Sequence, residues 1–312
     1  MGFSYADWSG VFYPADLPPH KRLAYYSRVF NGVEIDSTFY GIPRPASVRR
    51  WAASTPPDFR FCLKVPRQFT HEAGLVGVQG DLLKFIEIVQ ILEEKLGAVL
   101  FQFPPSFGPE QLPALLTCLA GLPHGLCYAV EIRHQSWYTA EYEPGGFSAS
   151  EPTAGDRATG EPSLAQALRP LGVCWAATEY PNLPRRISAT AEFLYLRWVG
   201  QHGTFQRHNI ERIDRSAQLR QWQEALQPEL SALSDHPRAP GQADQPAGFD
   251  DTQSGWTAND AGVLRDQRRA QAIYGFFNND YAGFAAGTAN RFKELAGLPV
   301  KPFLPPQQRM LF

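Results

Sequence analysis

Cysteine is scarce in this chain. Its 312 residues hold four, Cys62, Cys118, Cys127 and Cys174, and none pairs at the CxxC or CxxH spacing of a metal site. Cys62, Cys127 and Cys174 fall inside expected strands, so buried free thiols are expected. Such thiols suit the reducing cytoplasm, which is the expected location. An excess of one charge is also missing. The formal net charge is −2, which offers no basic footprint for nucleic acid but leaves room for a local positive pocket. No basic stretch followed by an apolar one opens the chain, so no signal peptide is expected. No apolar run approaches the roughly 20 residues of a membrane helix, so no membrane partner is expected. GxGxxG, P-loop, HExxH and GxSxG patterns are absent. No spacing of His, Asp and Glu demands a metal, so no metal ligand is assigned. A divalent ion is the one cofactor left in view, because barrel sites draw single ligands from separate strands.

What the chain does have is rhythm. Seven β-branched or aromatic-rich runs end in polar residues: 32–40 (GVEIDSTFY), 59–66 (FRFCLKVP), 98–104 (AVLFQFP), 126–134 (LCYAVEIRH), 172–179 (GVCWAATE), 193–200 (FLYLRWVG) and 272–280 (AIYGFFNND). Helical spacing follows most of them, including 82–96 behind an Asp81 N-cap with Gly97 as its left-handed stop, 109–120, 163–171, 215–226 and 282–296. Strands alternating with helices predict βαβ units and a parallel sheet. The expected fold is α/β, a TIM-barrel-like (β/α)8 barrel in one domain over residues 1–298, followed by a Pro-rich tail, 299–312. Residues 142–162 and 231–260 lack apolar periodicity and read as surface insertions. The eighth strand has one place left, residues 1–5, so the first strand is expected to be short or truncated.

In such barrels the chemistry gathers at the C-terminal ends of the strands. Alternation puts Glu34 and Asp36 on one face of an apolar strand, where carboxylates are costly unless paired or used, and for Glu34 a structural salt bridge to Arg133 or Arg197 is as open as a functional role. Asp36, nearer the strand end, is expected at the mouth or a turn. Lys64, between Leu63 and Val65, needs an anion, and His71 in the loop beyond it is a candidate acid or base. Gln102 is a candidate orienting amide. Glu131 and Arg133 share a strand face, with His134 and Trp137 at the strand exit. Arg197 is an arginine deep in an apolar strand and requires a carboxylate or an anionic ligand. Asn278 adds an amide to the same rim, and Asp280 reads first as a helix N-cap.

Taken in order, DWSGVFYP, VEIDSTFY, FRFCLKVPRQFTHE, LFQFPPSF, AVEIRHQSW, YLRWVG and FFNND resemble the YecE-like family, domain-of-unknown-function family seventy-two. The match covers most of the chain outside the two insertions. The resemblance implies a TIM-barrel-like fold and no activity. The family's strand before the Gly-aromatic-Ser-Tyr element has no counterpart ahead of residues 2–5. Its Arg-x-His-Gly reads here Arg197-Trp198-Val199-Gly200, with His202 the candidate to stand in for the lost histidine.

Two functions of different class fit these residues. One is an enzyme, a hydrolase or lyase on a phosphorylated, sugar-like or nucleotide-like substrate. There Lys64, Gln102, Arg133, Trp137, Arg197 and Asn278 bind a small anionic ligand. Glu34, His71, Glu131 and His134 carry the chemistry. The other is a binding protein that holds a ligand or a nucleic acid with the same residues and no turnover.

Overall fold

A computed structural model describes residues 1–138, 141–143, 146–148, 163–235, 256–258, 264–266 and 270–303. Four parallel strands follow one another in sequence and in space: β1 (Gly32–Ile35), β2 (Arg60–Lys64), β3 (Leu96–Gln102) and β4 (Tyr128–Glu131). Two hairpin strands, β5 (Glu141–Glu143) and β6 (Gly146–Ser148), come next. The chain then runs through β7 (Cys174–Trp175), β8 (Ala177–Glu179), β9 (Arg186–Ile187) and β10 (Phe193–Trp198). Two short strands, β11 (Trp256–Ala258) and β12 (Leu264–Asp266), precede β13 (Ala272–Phe277).

The main ladders form two arcs, β1-β2-β3-β4-β7 and β13-β10-β8. The run 174–179 links them, because β7 pairs with β4 and β8 pairs with β10, both in parallel. On the other side the barrel is not closed, and among the described residues no strand lies between β13 and β1. Residues 1–5 form no strand. Instead the Met1 nitrogen donates to the Phe277 carbonyl (2.6 Å) and the Gly2 N–H donates to the Glu34 carbonyl (2.8 Å). Two residues thus cross the gap.

Strand alternation sorts the side chains into two cores. Val33, Phe61, Leu63, Val99, Phe101, Val130, Leu194 and Leu196 join the large core with the helices. The helices are α1 (Arg22–Val29), α2 (Pro45–Ala53), α3 (Gln79–Val89), α4 (Leu112–Ala120), α5 (Ser163–Leu168), α6 (Ser216–Asp235), α7 (Asn279–Ala282) and α8 (Ala285–Leu295). The residues between make a second core inside the barrel: Cys62, Ala98, Leu100, Ala129, Cys174, Tyr195 and Phe276. Continuing that inner face by period two leads to Lys64, Gln102, Glu131 and Arg197. Glu34 joins them through its register opposite Cys62. The barrel is therefore apolar at its base and charged at its top.

Several local expectations change. The run 32–40 is a strand only to Ile35, and Asp36–Tyr40 is a 3-10 turn. The Thr38 hydroxyl drives this by binding the Lys64 carbonyl at 2.7 Å. Glu34 and Asp36 therefore do not share one strand face. The helix expected over 82–96 spans Gln79–Val89 and tightens to 3-10 over Gln90–Lys95, where Glu93 takes the left-handed φ of 52°. Gly97 instead lies inside β3, where a Cβ would meet Cys62 Sγ at 3.1 Å. Asp81 does not cap α3 but bonds Lys84 within its first turn (2.9 Å). Helix α6 runs to Asp235, with Leu226 and Leu230 buried at and beyond the expected end. Residues 231–235 thus belong to a helix and not to the second insertion. The rest of both insertions falls largely outside the described residues. Cys127 is exposed, since β4 starts only at Tyr128, while Cys62, Cys118 and Cys174 are buried. No described helix is long and apolar enough to cross a membrane.

Candidate functional site

The inner charges meet at one point. Arg197 grips Glu34 with two donors, Nε to Oε2 at 3.0 Å and Nη2 to Oε1 at 2.7 Å. Its Nη1 donates to Glu131 Oε2. Glu131 Oε1 accepts from Arg133 Nε (2.8 Å), and the Tyr195 hydroxyl donates to Glu34 Oε2 (2.6 Å). Both glutamates have no exposed surface, and Arg197 has 3 %. All four carboxylate oxygens are therefore engaged by donors. Burial opposes ionisation of Glu131, but Arg197, Arg133 and Lys64 outweigh it and hold the pKa down to about 2. Glu34 is likewise lowered, against its burial, by Arg197 and the Tyr195 hydroxyl. Arg197 was expected to bind substrate and Glu34 and Glu131 to act on it. The geometry makes them first a self-satisfied network, the form in which buried charges persist.

Above that network the groups are less well matched. Lys64 is buried, and no carboxylate of the described residues lies within ion-pair range of it. Its Nζ sits 3.9 Å over the Phe39 ring, a cation–π contact. Burial, then the charge of Arg197, push its pKa down to about 8. His71 packs edge-on to the same Phe39 ring at 4.9 Å, and its Nδ1 meets the Thr70 hydroxyl at 2.9 Å. Burial, then Lys64, Arg133 and Arg67, push His71 down to about 4. Burial first, and then the positive charges around it, thus keep the imidazole neutral. Its segment, Gln68–Glu72, is a π-helical turn and not an open loop; such turns recur at functional sites. Asp36 lies 4.0 Å from Arg197 Nη2, with a third of its side chain exposed. Burial, then the Glu34 charge, raise it to about 6. The Arg133 guanidinium lies 4.6 Å over the Tyr180 ring.

The remaining expected residues are placed differently. Gln102 is inward, but its amide donates to the adjacent Phe103 carbonyl. Trp137 is buried in the outer core, stacked on Phe107 and donating to the Phe107 carbonyl at 2.6 Å, so it is removed from the mouth. Asn278 caps α7: its side chain accepts from the Asp280 N–H at 2.6 Å. The cap is therefore Asn278, with Asp280 in the first turn. His134 accepts at Nδ1 from the Ser136 N–H (3.3 Å) in the turn after β4. Two further residues of the site, Tyr195 and Phe39, carry no motif that marks them in the sequence. Tyr195 could have been found there, since it stands two residues before Arg197 and must share its face. Phe39 could not, because its place over Lys64 depends on the turn at Asp36. Among the described residues, no set of three or more His, Cys, Asp or Glu is placed to hold a metal ion.

A family model described as "Protein of unknown function DUF72" matches residues 1–310. The chain belongs to the DUF72 family. It is 30% identical over 211 residues to the UPF0759 protein YecE of Escherichia coli strain K12, covering 67% of this chain and 77% of that one. It is 31% identical to the UPF0759 protein YunF of Bacillus subtilis over 138 residues, 42% of this chain and 49% of the other. A DUF72 family crystal structure from Thermotoga maritima superposes with a TM-score of 0.62 at 25% identity, covering 95% of this chain and 97% of that one. One from Enterococcus faecalis gives 0.59 at 19%, covering 91% and 90%. These DUF72 likenesses are consistent with the TIM-barrel-like architecture and bring no activity with them.

Proposed function

We propose that the mouth of the barrel takes a small anionic substrate and that the protein is an enzyme of the hydrolase or lyase class. A phosphorylated, sugar-like or nucleotide-like compound is the substrate class in view. The observation that carries this is Lys64. A buried ammonium with no carboxylate in reach is a stability liability, and proteins retain such groups where a ligand completes them. Lys64 and Arg133 supply the positive charge. His71, neutral between them, and Asp36, poised near pH 6, are suited to hold and move a proton. The Glu34–Arg197–Glu131 network fixes the floor beneath them. The alternative is a binding protein that holds a ligand or nucleic acid with the same residues and no turnover; nucleic acid is the less supported of the two, since the chain carries a net charge of −2.

The test is a thermal-shift series with inorganic phosphate, a hexose monophosphate and adenosine monophosphate, on the wild type and on Lys64→Met. Turnover is followed by phosphorus NMR. A rise in Tm that Lys64→Met abolishes, with turnover, supports the reading. A rise without turnover supports the binding alternative. No rise with any probe, or the same rise in the variant, removes Lys64 from the site.

A further inference from the structure

A second group of polar side chains gathers where β10 and β13 end, outside the network around Arg197. Asp280, in the short helix α7, is 6 % exposed. Its Oδ1 lies 3.2 Å from His208 Nε2, and its Oδ2 accepts the Gly203 N–H at 3.3 Å. The exposed His202 brings Nδ1 to 3.5 Å of Oδ2. His208 is fixed at its backbone too, because its N–H donates to Asp7 Oδ2 at 3.1 Å. The His208 side chain keeps 23% of its surface in solvent.

We propose that His208 and Asp280 form a proton-transfer dyad serving the barrel mouth. An ionised carboxylate only accepts, so His208 must carry its hydrogen on Nε2. That leaves the lone pair on Nδ1, which has no partner among the described residues. Asp280 is thus a positioning residue that sets the tautomer and balances the imidazolium formed when Nδ1 takes a proton. In a hydrolysis, Nδ1 takes the proton of the attacking water and returns it to the leaving oxygen. The groups facing His208 are Asp280, Asp7 and Tyr5, whose ring stands edge-on at 6.4 Å. Tyr5 leads from the dyad toward the mouth: its hydroxyl donates to the Met1 carbonyl at 3.1 Å, and the Met1 thioether accepts from Arg197 Nη2 at 3.2 Å. Its phenol is raised by burial first, then by Asp36, Glu34 and Asp280.

The backbone around the dyad is built to hold still. The loop carrying His208 is pinned to the end of α7 by the Arg212 N–H, which donates to the Ala282 carbonyl at 2.7 Å. Two glycines permit that closeness. A Cβ on Gly200 would stand 1.9 Å from the Asp280 carbonyl oxygen. One on Gly283, at a φ of +104°, would stand 2.6 Å from the Ile210 carbonyl oxygen. A rigid second layer around a proton-transfer group is what keeps it in reacting geometry.

The dyad rests on the enzymatic reading above, and its test is independent of phosphate binding. Long-range proton–nitrogen NMR on the nitrogen-labelled wild type reads the His208 tautomer at neutral to mildly basic pH. A hydrogen on Nε2 is expected, and a hydrogen on Nδ1 overturns the dyad. Acylation by diethyl pyrocarbonate, read by mass spectrometry, then measures Nδ1 as a nucleophile. Asp280→Asn should slow modification of His208 by at least about tenfold, because the wrong tautomer offers no lone pair at the exposed nitrogen. His124, exposed and not among the partners of Asp280, is modified in the same sample and serves as the unchanged reference. An equal His208 rate in both proteins overturns the proposal. The phosphate-induced Tm shift should survive in Asp280→Asn. Its loss in Lys64→Met, with the wild-type tautomer as expected, leaves the dyad standing. If the asparagine variant does not fold, the wild-type tautomer still decides.

Discussion

Replacing Arg197 with methionine tests the interior network most directly. The change removes the guanidinium that bonds Glu34 at 2.7 and 3.0 Å and that also reaches Glu131. Both carboxylates stay where no water reaches them. Glu131 keeps Arg133 at 2.8 Å and Glu34 keeps only the Tyr195 hydroxyl at 2.6 Å. Breaking a buried pair from one side costs about 3–5 kcal/mol. Against a total stability of about 5–15 kcal/mol, that leaves the variant marginal. The pH dependence provides a second, sharper reading. In the wild type both glutamate pKa values are lowered. Their contribution is fully present above the ordinary carboxylate range, near pH 4.5, and is lost as pH falls toward about 2. Without Arg197 burial dominates and lifts Glu34 above that range, so the folded variant binds the extra proton. Its deficit should then shrink as pH falls from about 7 to 5, by at most about 1.4 kcal/mol per pH unit for each proton taken up. Urea unfolding followed by tryptophan fluorescence at both pH values measures it. Asp36, 4.0 Å from Arg197 Nη2, loses a lowering charge in the same variant and acts in the same direction. A loss under about 1 kcal/mol at pH 7, or a deficit that grows on acidification, refutes the network as a stabilising unit.

Three further outcomes are expected. Lys64→Met should be at least as stable as the wild type near pH 7, because the burial that holds Lys64 near 8 acts against folding below that pH and eases above it; a loss beyond about 1 kcal/mol in urea would show a structural role. His71, held near 4, contributes stability that is present above its ordinary range and lost as pH falls toward 4, so its ring NMR signals should stay constant from about pH 7 to 5; a midpoint near 6.5 contradicts the positive surroundings. Gly200→Ala, whose Cβ would collide with the Asp280 carbonyl at 1.9 Å, should lower stability by at least about 1–3 kcal/mol in the same assay, and an unchanged unfolding midpoint would mean the β10 and β13 loops are not locked together.

The alternation along β2, β3, β4 and β10 was legible because a strand has period two and these strands are buried on both faces. From FCLK, LFQ, AVE and LYLRW alone, Lys64, Gln102, Glu131 and Arg197 must be the last inward residues of their strands. What sequence could not provide was the division of labour among them. Whether Arg197 meets a ligand or two glutamates depends on which strands face each other across the barrel, and no single run contains that. The turn at Asp36 was hidden for a related reason. STFY has good strand propensity, and a tertiary bond from Thr38 to the Lys64 carbonyl overrides it. Trp137 and Asn278 looked functional because they stand at strand exits. One carries an apolar body that the outer core takes up, and the other an amide that a helix start needs.

These placements separate two uses of charge that are indistinguishable in composition. Glu34, Glu131, Arg197 and Arg133 are mutually bonded, so a ligand could recruit them only by first breaking bonds already made. Lys64 and His71 are different: a cation above an aromatic ring and an imidazole kept neutral by burial and then by its positive neighbours, neither with a carboxylate of the described residues in ion-pair range. An anion arriving beside them would complete Lys64 and raise the proton affinity of His71 at once. Phosphate binding should therefore raise the His71 pKa from about 4 toward its ordinary range. The ring signals, silent between about pH 7 and 5 in the free protein, should begin to titrate when phosphate is added. Lys64→Met should remove that phosphate dependence. If phosphate raises Tm while His71 stays silent, the anion sits elsewhere on the molecule, and Lys64 and His71 do not belong to one site.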